Sequence, residues 1–158
     1  MVAARAWFGL LLAACGPERL SPVEECPPPE EAARVSWNHA CEHLRTGRAE
    51  PLDARARTPE IRNTHIVYRV LLRESATGYR GEVSFNPRVS SPFVFYTSEG
   101  GALNVSEQGA RRCRAGSSTS TMCDLRLAEV YELVESHPVT LELGPASAEA
   151  VLLMAEIP

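Results

Sequence analysis

From about residue 60 to the end of the chain, apolar residues recur at every second position in short runs, and no other feature constrains the fold as tightly. Ile66, Tyr68, Val70 and Leu72 alternate with His65, Val67, Arg69 and Leu71. Ser75-Ala76-Thr77-Gly78 reads as a turn, after which Tyr79, Gly81, Val83 and Phe85 resume the alternation, so the two runs predict a hairpin with one buried face. Residues 93–97 read as a strand that is apolar on both faces, turned by Glu99-Gly100-Gly101 into residues 102–106. Residues 107–121, rich in Arg, Ser, Thr and Gly, read as a long loop. Leu125, Leu127, Tyr131 and Leu133 then alternate through a strand interrupted at Glu129. Val139, Leu141 and Leu143 form a strand stopped by Gly144-Pro145, and Val151, Leu153, Ala155 and Ile157 form the last one. Short strands at this spacing predict a mainly β fold, an antiparallel β-sandwich over residues 60–158.

Upstream the period changes. Residues 30–46 read as one amphipathic helix: prolines precede it, Glu30 and Glu31 occupy the first turn where the helix dipole favours acids, and Gly47 follows it. Ala33, Trp37, Ala40, Cys41 and Leu44 recur at helical spacing and predict a stripe that docks on the sandwich. His39 and His43 are four apart, so a helix puts both on one face, a spacing that chelates zinc or copper. Two ligands do not close a metal site, and two solvated histidines are the competing reading. His65 or His137 completes the set only if the fold brings one of them near.

The first fourteen residues set the address. Arg5 and the amino terminus are positive, residues 6–14 are apolar, and no run of 18 apolar residues occurs anywhere, so the stretch fits a signal peptide and not a spanning helix. It ends in Leu12-Ala13-Ala14-Cys15, which resembles the lipobox of bacterial lipoproteins. The resemblance implies cleavage of residues 1–14, a diacylglycerol on the Cys15 sulfur and an acyl group on its amine, hence a membrane partner through a lipid anchor. Gly16, where aspartate would imply inner-membrane retention, points to the outer membrane of the cell envelope. Residues 15–29 hold Pro17, Pro22, Pro27, Pro28 and Pro29 and read as an extended tether.

Five cysteines become four once Cys15 carries lipid, and an oxidising compartment allows Cys26, Cys41, Cys113 and Cys123 to form two disulfides. Cys26–Cys41 with Cys113–Cys123 is the most local pairing; the alternative joins the helix to the β domain through Cys41 and either Cys113 or Cys123.

Residues 139–145 and the closing strand resemble the last two strands of secreted jelly-roll modules of the pre-peptidase C-terminal type. That resemblance implies a jelly-roll-like accessory module and not a catalyst. Members that bind calcium use clustered loop acids; the loops here offer Glu99, Glu107 and Asp124, and no calcium site is carried over. The chain shows no Gly-x-Ser-x-Gly elbow, phosphate loop or His-Glu-x-x-His motif. Glu82, Glu129 and Glu142 read as a solvated sheet face, and Arg111, Arg112 and Arg114 as a solvated basic loop or, less simply, an anion site. All 16 positive residues are arginine and the formal charge is −4, which argues against nucleic acid as a partner.

The leading expectation is therefore a non-enzymatic envelope lipoprotein whose sandwich binds an envelope protein or a small ligand. The alternatives are a copper- or zinc-binding envelope protein using His39 and His43, and an inhibitor of an envelope or external hydrolase using a disulfide loop 113–123.

Overall fold

The computed structural model describes Cys26, Glu30–Glu31, residues 35–98 and residues 103–158. The expected signal peptide, Cys15, most of the expected tether and the turn expected at Glu99-Gly100-Gly101 lie outside the described residues. The chain is mainly β, with two sheets packed face to face and one short helix among the described residues.

The first sheet has seven strands. In chain order they are β1 (Glu30–Glu31), β2 (Glu50–Asp53), β4 (Tyr68–Leu71), β7 (Ser91–Thr97), β10 (Gly116–Thr119), β11 (Leu127–Leu133) and β13 (Ala150–Glu156). The second sheet has six: β3 (Glu60–Ile61), β5 (Arg73–Ser75), β6 (Gly78–Phe85), β8 (Leu103–Glu107), β9 (Ala110–Arg111) and β12 (Val139–Ala146). The helix, α1, spans Trp37–Thr46.

Neighbours run β1-β10-β11-β7-β13-β4-β2 in one sheet and β3-β6-β12-β8-β9 in the other, with β5 beside β6. Number β4, β6, β7, β8, β9, β11, β12 and β13 from one to eight. The central sheets then read one-eight-three-six and two-seven-four-five, all antiparallel, which is the strand order of a jelly roll. Short parallel strands are added at the margins: β1 on β10, β2 on β4 and β3 on β6. The sheets are thus mixed at their edges, where a purely antiparallel sandwich was expected. Two- to four-residue strands at these positions cover ladder groups that would otherwise be open to another chain.

Alternation places the core. Val70, Val83, Phe85, Phe93, Phe95, Val105, Tyr131, Leu141 and Leu153 all point between the sheets. The other face of the seven-stranded sheet is buried as well, because α1 lies on it. Ala40 packs with Val94, Tyr96, Ala128, Val130 and Met154, flanked by Trp37 and Leu44. This second layer explains why β7 is apolar on both faces.

Several sequence expectations change. The helix begins at Trp37, not at residue 30, and Glu30–Glu31 instead pair with Gly116 and Ser117. A ladder to an open edge competes there with the helix preference of Glu and Ala, and the ladder wins. The expected long hairpin is two things. β4 stays in one sheet beside β13, the chain bends at buried Leu72, and only β5 pairs with β6 around the Ser75–Gly78 turn. The long loop 107–121 contains β9 and β10. β11 is unbroken through Glu129. β12 is not stopped by Gly144-Pro145 but passes through them with a register shift. Gly144 sits at φ 106°, where a Cβ would come 2.3 Å from the Tyr79 carbonyl oxygen, so glycine is required for the bulge.

Candidate metal centre

α1 meets the outer face of the seven-stranded sheet through Trp37, Ala40 and Leu44, which turns His39 and His43 toward the end of β13. The loop between β3 and β4 supplies a third imidazole. Its backbone is tied to β13 by a hydrogen bond from the His65 amide to the Ala155 carbonyl oxygen, 2.8 Å. His65 itself holds φ at 62°, a left-handed conformation that few non-glycine residues adopt. Such strain persists where surrounding structure imposes it, and it clusters at functional sites.

The three histidines converge. One ligating nitrogen from each of His39, His43 and His65 lies within 4.8 Å of the other two. The ring centroids are 4.6 Å apart for His39–His43 and 5.4 Å apart for each ring with His65. His39 Nε2 and His43 Nε2 are 3.1 Å apart, close to the roughly 3.3 Å that two imidazole nitrogens subtend on a tetrahedral zinc ion. The Nδ1 of His65 is buried without a hydrogen-bond partner among the described residues.

Behind the cluster stands Glu156, only 4% exposed at the end of β13. Its Oε1 accepts a 2.5 Å hydrogen bond from His39 Nδ1. That bond puts the proton of His39 on Nδ1 and leaves Nε2 with a lone pair directed at the other rings, the arrangement by which a carboxylate orients a metal-binding histidine. The second oxygen, Oε2, is buried and accepts no hydrogen bond among the described residues. The Tyr96 phenol is pushed up, first by its burial and then by the charge of neighbouring Glu156. The His43 imidazole is held below its ordinary value by burial first, then by His39 and His65 beside it. A neutral imidazole is the form that binds a metal.

His39 is 47% exposed, so the cluster opens to solvent on one side. Three nitrogen donors, an oriented first ligand and an open side suit zinc or copper(II), with room for a further ligand. Thiolates take no part, because all four described cysteines are in disulfides.

The remaining candidates are placed as follows. The disulfides are Cys26–Cys113 and Cys41–Cys123, not the local pairs. Docking of α1 on the sheet carries Cys41 to Cys123, which packs against the same apolar layer. A loop closed by Cys113–Cys123 is therefore not formed. His137 joins Glu107 at 2.7 Å instead of the histidine cluster. Arg112 pairs with Glu107 and Arg114 with Glu129, so two members of the basic run are committed to ion pairs. Glu82 and Glu142 are exposed on the outer face of the six-stranded sheet, as expected. Glu129 is not: it is 2% exposed inside the sandwich, held by Arg114 and by the Tyr131 hydroxyl at 3.2 Å. Burial, then the Glu129 charge, raises the Tyr131 phenol. Arg114 follows Cys113, and the Cys26–Cys113 bond fixes the backbone from which it reaches inward.

Sequence reasoning named His39 and His43, left the third place open between His65 and His137, and missed Glu156. The available signal was a carboxylate in phase with Val94-side positions of an otherwise apolar run, 150–157. No protein-family model matches the chain, and no curated protein is similar to it in sequence.

Proposed function

We propose that this chain is a lipid-anchored, non-enzymatic envelope protein whose sandwich binds one divalent transition-metal ion, zinc or copper, through His39, His43 and His65. The observation that carries the reading is the convergence of three imidazoles from two separate segments, with buried Glu156 orienting one of them. The hydrogen-bond contact between His43 Nε2 and His39 Nε2, 3.1 Å, accounts for that pair but not for His65 beside it. Like-charged imidazolium groups repel, and a strained His65 backbone costs energy that a bound ion would offset. The carboxylate nearest the rings is engaged in holding His39, which fits a binding site better than an acid–base site.

The anchor belongs to the same proposal. The Leu12-Ala13-Ala14-Cys15 sequence supports lipid attachment, and the proline-rich stretch after it supports a spacer between membrane and sandwich. Labelling with a palmitate analogue tests this part: label is expected on the native chain and absent from Cys15→Ser, and a chain that takes no label ends it.

Calorimetry of the full chain with zinc chloride and with copper sulfate tests the metal. One ion per chain is expected at micromolar concentration or below. His65→Ala should abolish that binding as fully as His39→Ala does. Retention of metal by His65→Ala would reduce the site to an ordinary surface pair of histidines.

A further inference from the structure

We infer that the metal site is assembled by oxidation: the Cys41–Cys123 disulfide forms first and, by fixing α1, tightens the hold of the three histidines on an ion. The inference rests on the metal-binding reading above and adds an order of events to it. Two of the three proposed ligands sit on α1, and Cys41 lies between them in sequence. At 100° per residue, His43 projects from one flank of the helix's apolar stripe and Cys41 from the other. The two flanks therefore have different fasteners, a covalent bond to Cys123 on one side and the imidazole–carboxylate contacts on the other.

The helix has little else to hold it. It is ten residues long, below the length at which an isolated helix is stable in water. No side chain of its N-cap Ser36 caps it, its first turn has no acid, and Ala40 is its one fully buried residue. Trp37 and Leu44 are only partly buried. Without the bond to Cys123, the position of His39 and His43 relative to His65 depends on that small layer and on three hydrogen bonds, His39 to Glu156, Trp37 to Ser118 and the Ser36 amide to Tyr96.

The disulfide is also reachable. Both half-buried cysteines line a surface groove with Asn38, Glu42, Leu44 and Met122. The oxidant is a small or protein disulfide, the class that exchanges with thiols in oxidising compartments. One cysteine thiolate attacks a sulfur of that disulfide and expels a thiolate. The other cysteine thiolate then attacks the mixed disulfide, forming Cys41–Cys123 and expelling the second thiolate. Two protein thiols are oxidised and one disulfide is reduced to two thiols, so the electrons balance. The ion loads afterwards, in whatever compartment supplies the oxidant.

Zinc affinity measured by competition with a chromogenic chelator tests this. The oxidised chain is compared with Cys41→Ser/Cys123→Ser and with Cys26→Ser/Cys113→Ser. We expect at least tenfold weaker binding in the first double variant and a change within threefold in the second. If the oxidised native chain binds no zinc, the metal-binding reading itself fails. If it binds and Cys41→Ser/Cys123→Ser binds equally well, the order of events fails while the metal reading stands. Circular dichroism reports whether that variant keeps its strands. Should it lose them, the native chain answers by reciprocity, since a bond that strengthens metal binding must be strengthened by metal in turn. In glutathione redox buffers with acid trapping, saturating zinc should favour the Cys41–Cys123 disulfide at least tenfold and leave Cys26–Cys113 unmoved. No shift, or a shift toward thiols, overturns the inference.

Discussion

The seven-stranded sheet has two buried faces, and they are held in different ways. Its inner face meets the second sheet through a continuous apolar interior, from Ala54 and Val70 to Leu141 and Ala155. Its outer face meets α1 through a smaller cluster and a set of individual fasteners. These are the Cys41–Cys123 bond, the Glu156–His39 hydrogen bond, Trp37 Nε1 donating to Ser118 at 3.2 Å, and the Ser36 amide donating to the Tyr96 hydroxyl at 3.2 Å. Each fastener joins positions more than 50 residues apart. The inner face derives its strength from area removed from water. The outer face derives its strength from a few specific bonds, which place side chains accurately but can be lost one at a time. A binding site built on the outer layer is correspondingly easier to assemble, adjust or release.

The sharpest way to break the contrast is to damage the inner face. Phe95 is fully buried there, with its ring edge-on to Phe85 at 5.5 Å and tilted against Tyr131 at 6.2 Å. Phe95→Ala should cost about 3–5 kcal/mol, spread over the whole domain, because the cavity it leaves is closed in by both sheets. Urea unfolding followed by circular dichroism checks this. A loss below about 1 kcal/mol would place the main source of stability elsewhere.

Removing the strongest outer fastener should cost less and act locally. Cys41–Cys123 closes a separation of 82 residues, and loss of a native disulfide in a domain of this kind costs about 2–5 kcal/mol. Part of that cost falls on the unfolded chain, so the local effect is the discriminating one. In Cys41→Ser/Cys123→Ser, amide protons of α1 should exchange far faster while those of β6 and β12 stay protected. Uniform loss of protection would mean that helix layer and sandwich unfold as one unit.

The same contrast explains how much could be read from the chain. Alternation in Tyr68–Leu72, Tyr79–Phe85 and Phe93–Thr97 encodes the inner face directly, since each side chain's destination follows from strand periodicity. The sandwich was therefore legible. Strand partners were not, because period two says which face a residue takes and nothing about which sheet a strand enters. That is why Ile66–Leu72 looked like half of a hairpin with β6. The outer layer was legible only in pieces. His39, His43 and Cys41 could be placed on a helix, but what lay beneath them depended on contacts more than 80 residues distant. Glu129 and Glu156 look like exposed strand residues by pattern. Their burial is offset by Arg114, which engages Glu129, and by His39, which engages one oxygen of Glu156, and neither partner can be read from strand periodicity.

Glu156→Gln sharpens the contrast at the proposed metal centre. The amide can still accept from His39 Nδ1 but has no charge to stabilise a ligated ring. Loss of such a partner typically costs 10–100-fold in metal affinity. Fold stability should change by no more than about 1 kcal/mol, since the fasteners on the Cys41 side remain. Zinc competition and urea unfolding on the same samples separate the two effects. An affinity within twofold of the native chain would remove Glu156 from the site.

The smallest expected effect belongs to Tyr96→Phe, and it tests whether the outer layer works as independent contacts. The Tyr96 hydroxyl accepts from the Ser36 amide at the start of α1 and lies beside the Glu156 carboxylate. Its ring packs edge-on to Trp37 at 5.4 Å, and phenylalanine preserves that contact. What is removed is one hydrogen bond to an amide whose residue is exposed, so water can replace the lost acceptor. The cost should be about 0.5–1.5 kcal/mol, the ordinary net worth of one hydrogen bond. Zinc affinity should fall by no more than about threefold, because the Glu156–His39 bond that orients the ligand is untouched. A much larger fall in affinity would show that the Tyr96 hydroxyl, Glu156 and His39 act as one connected network, and the outer layer would then share the cooperativity that distinguishes the sandwich interior.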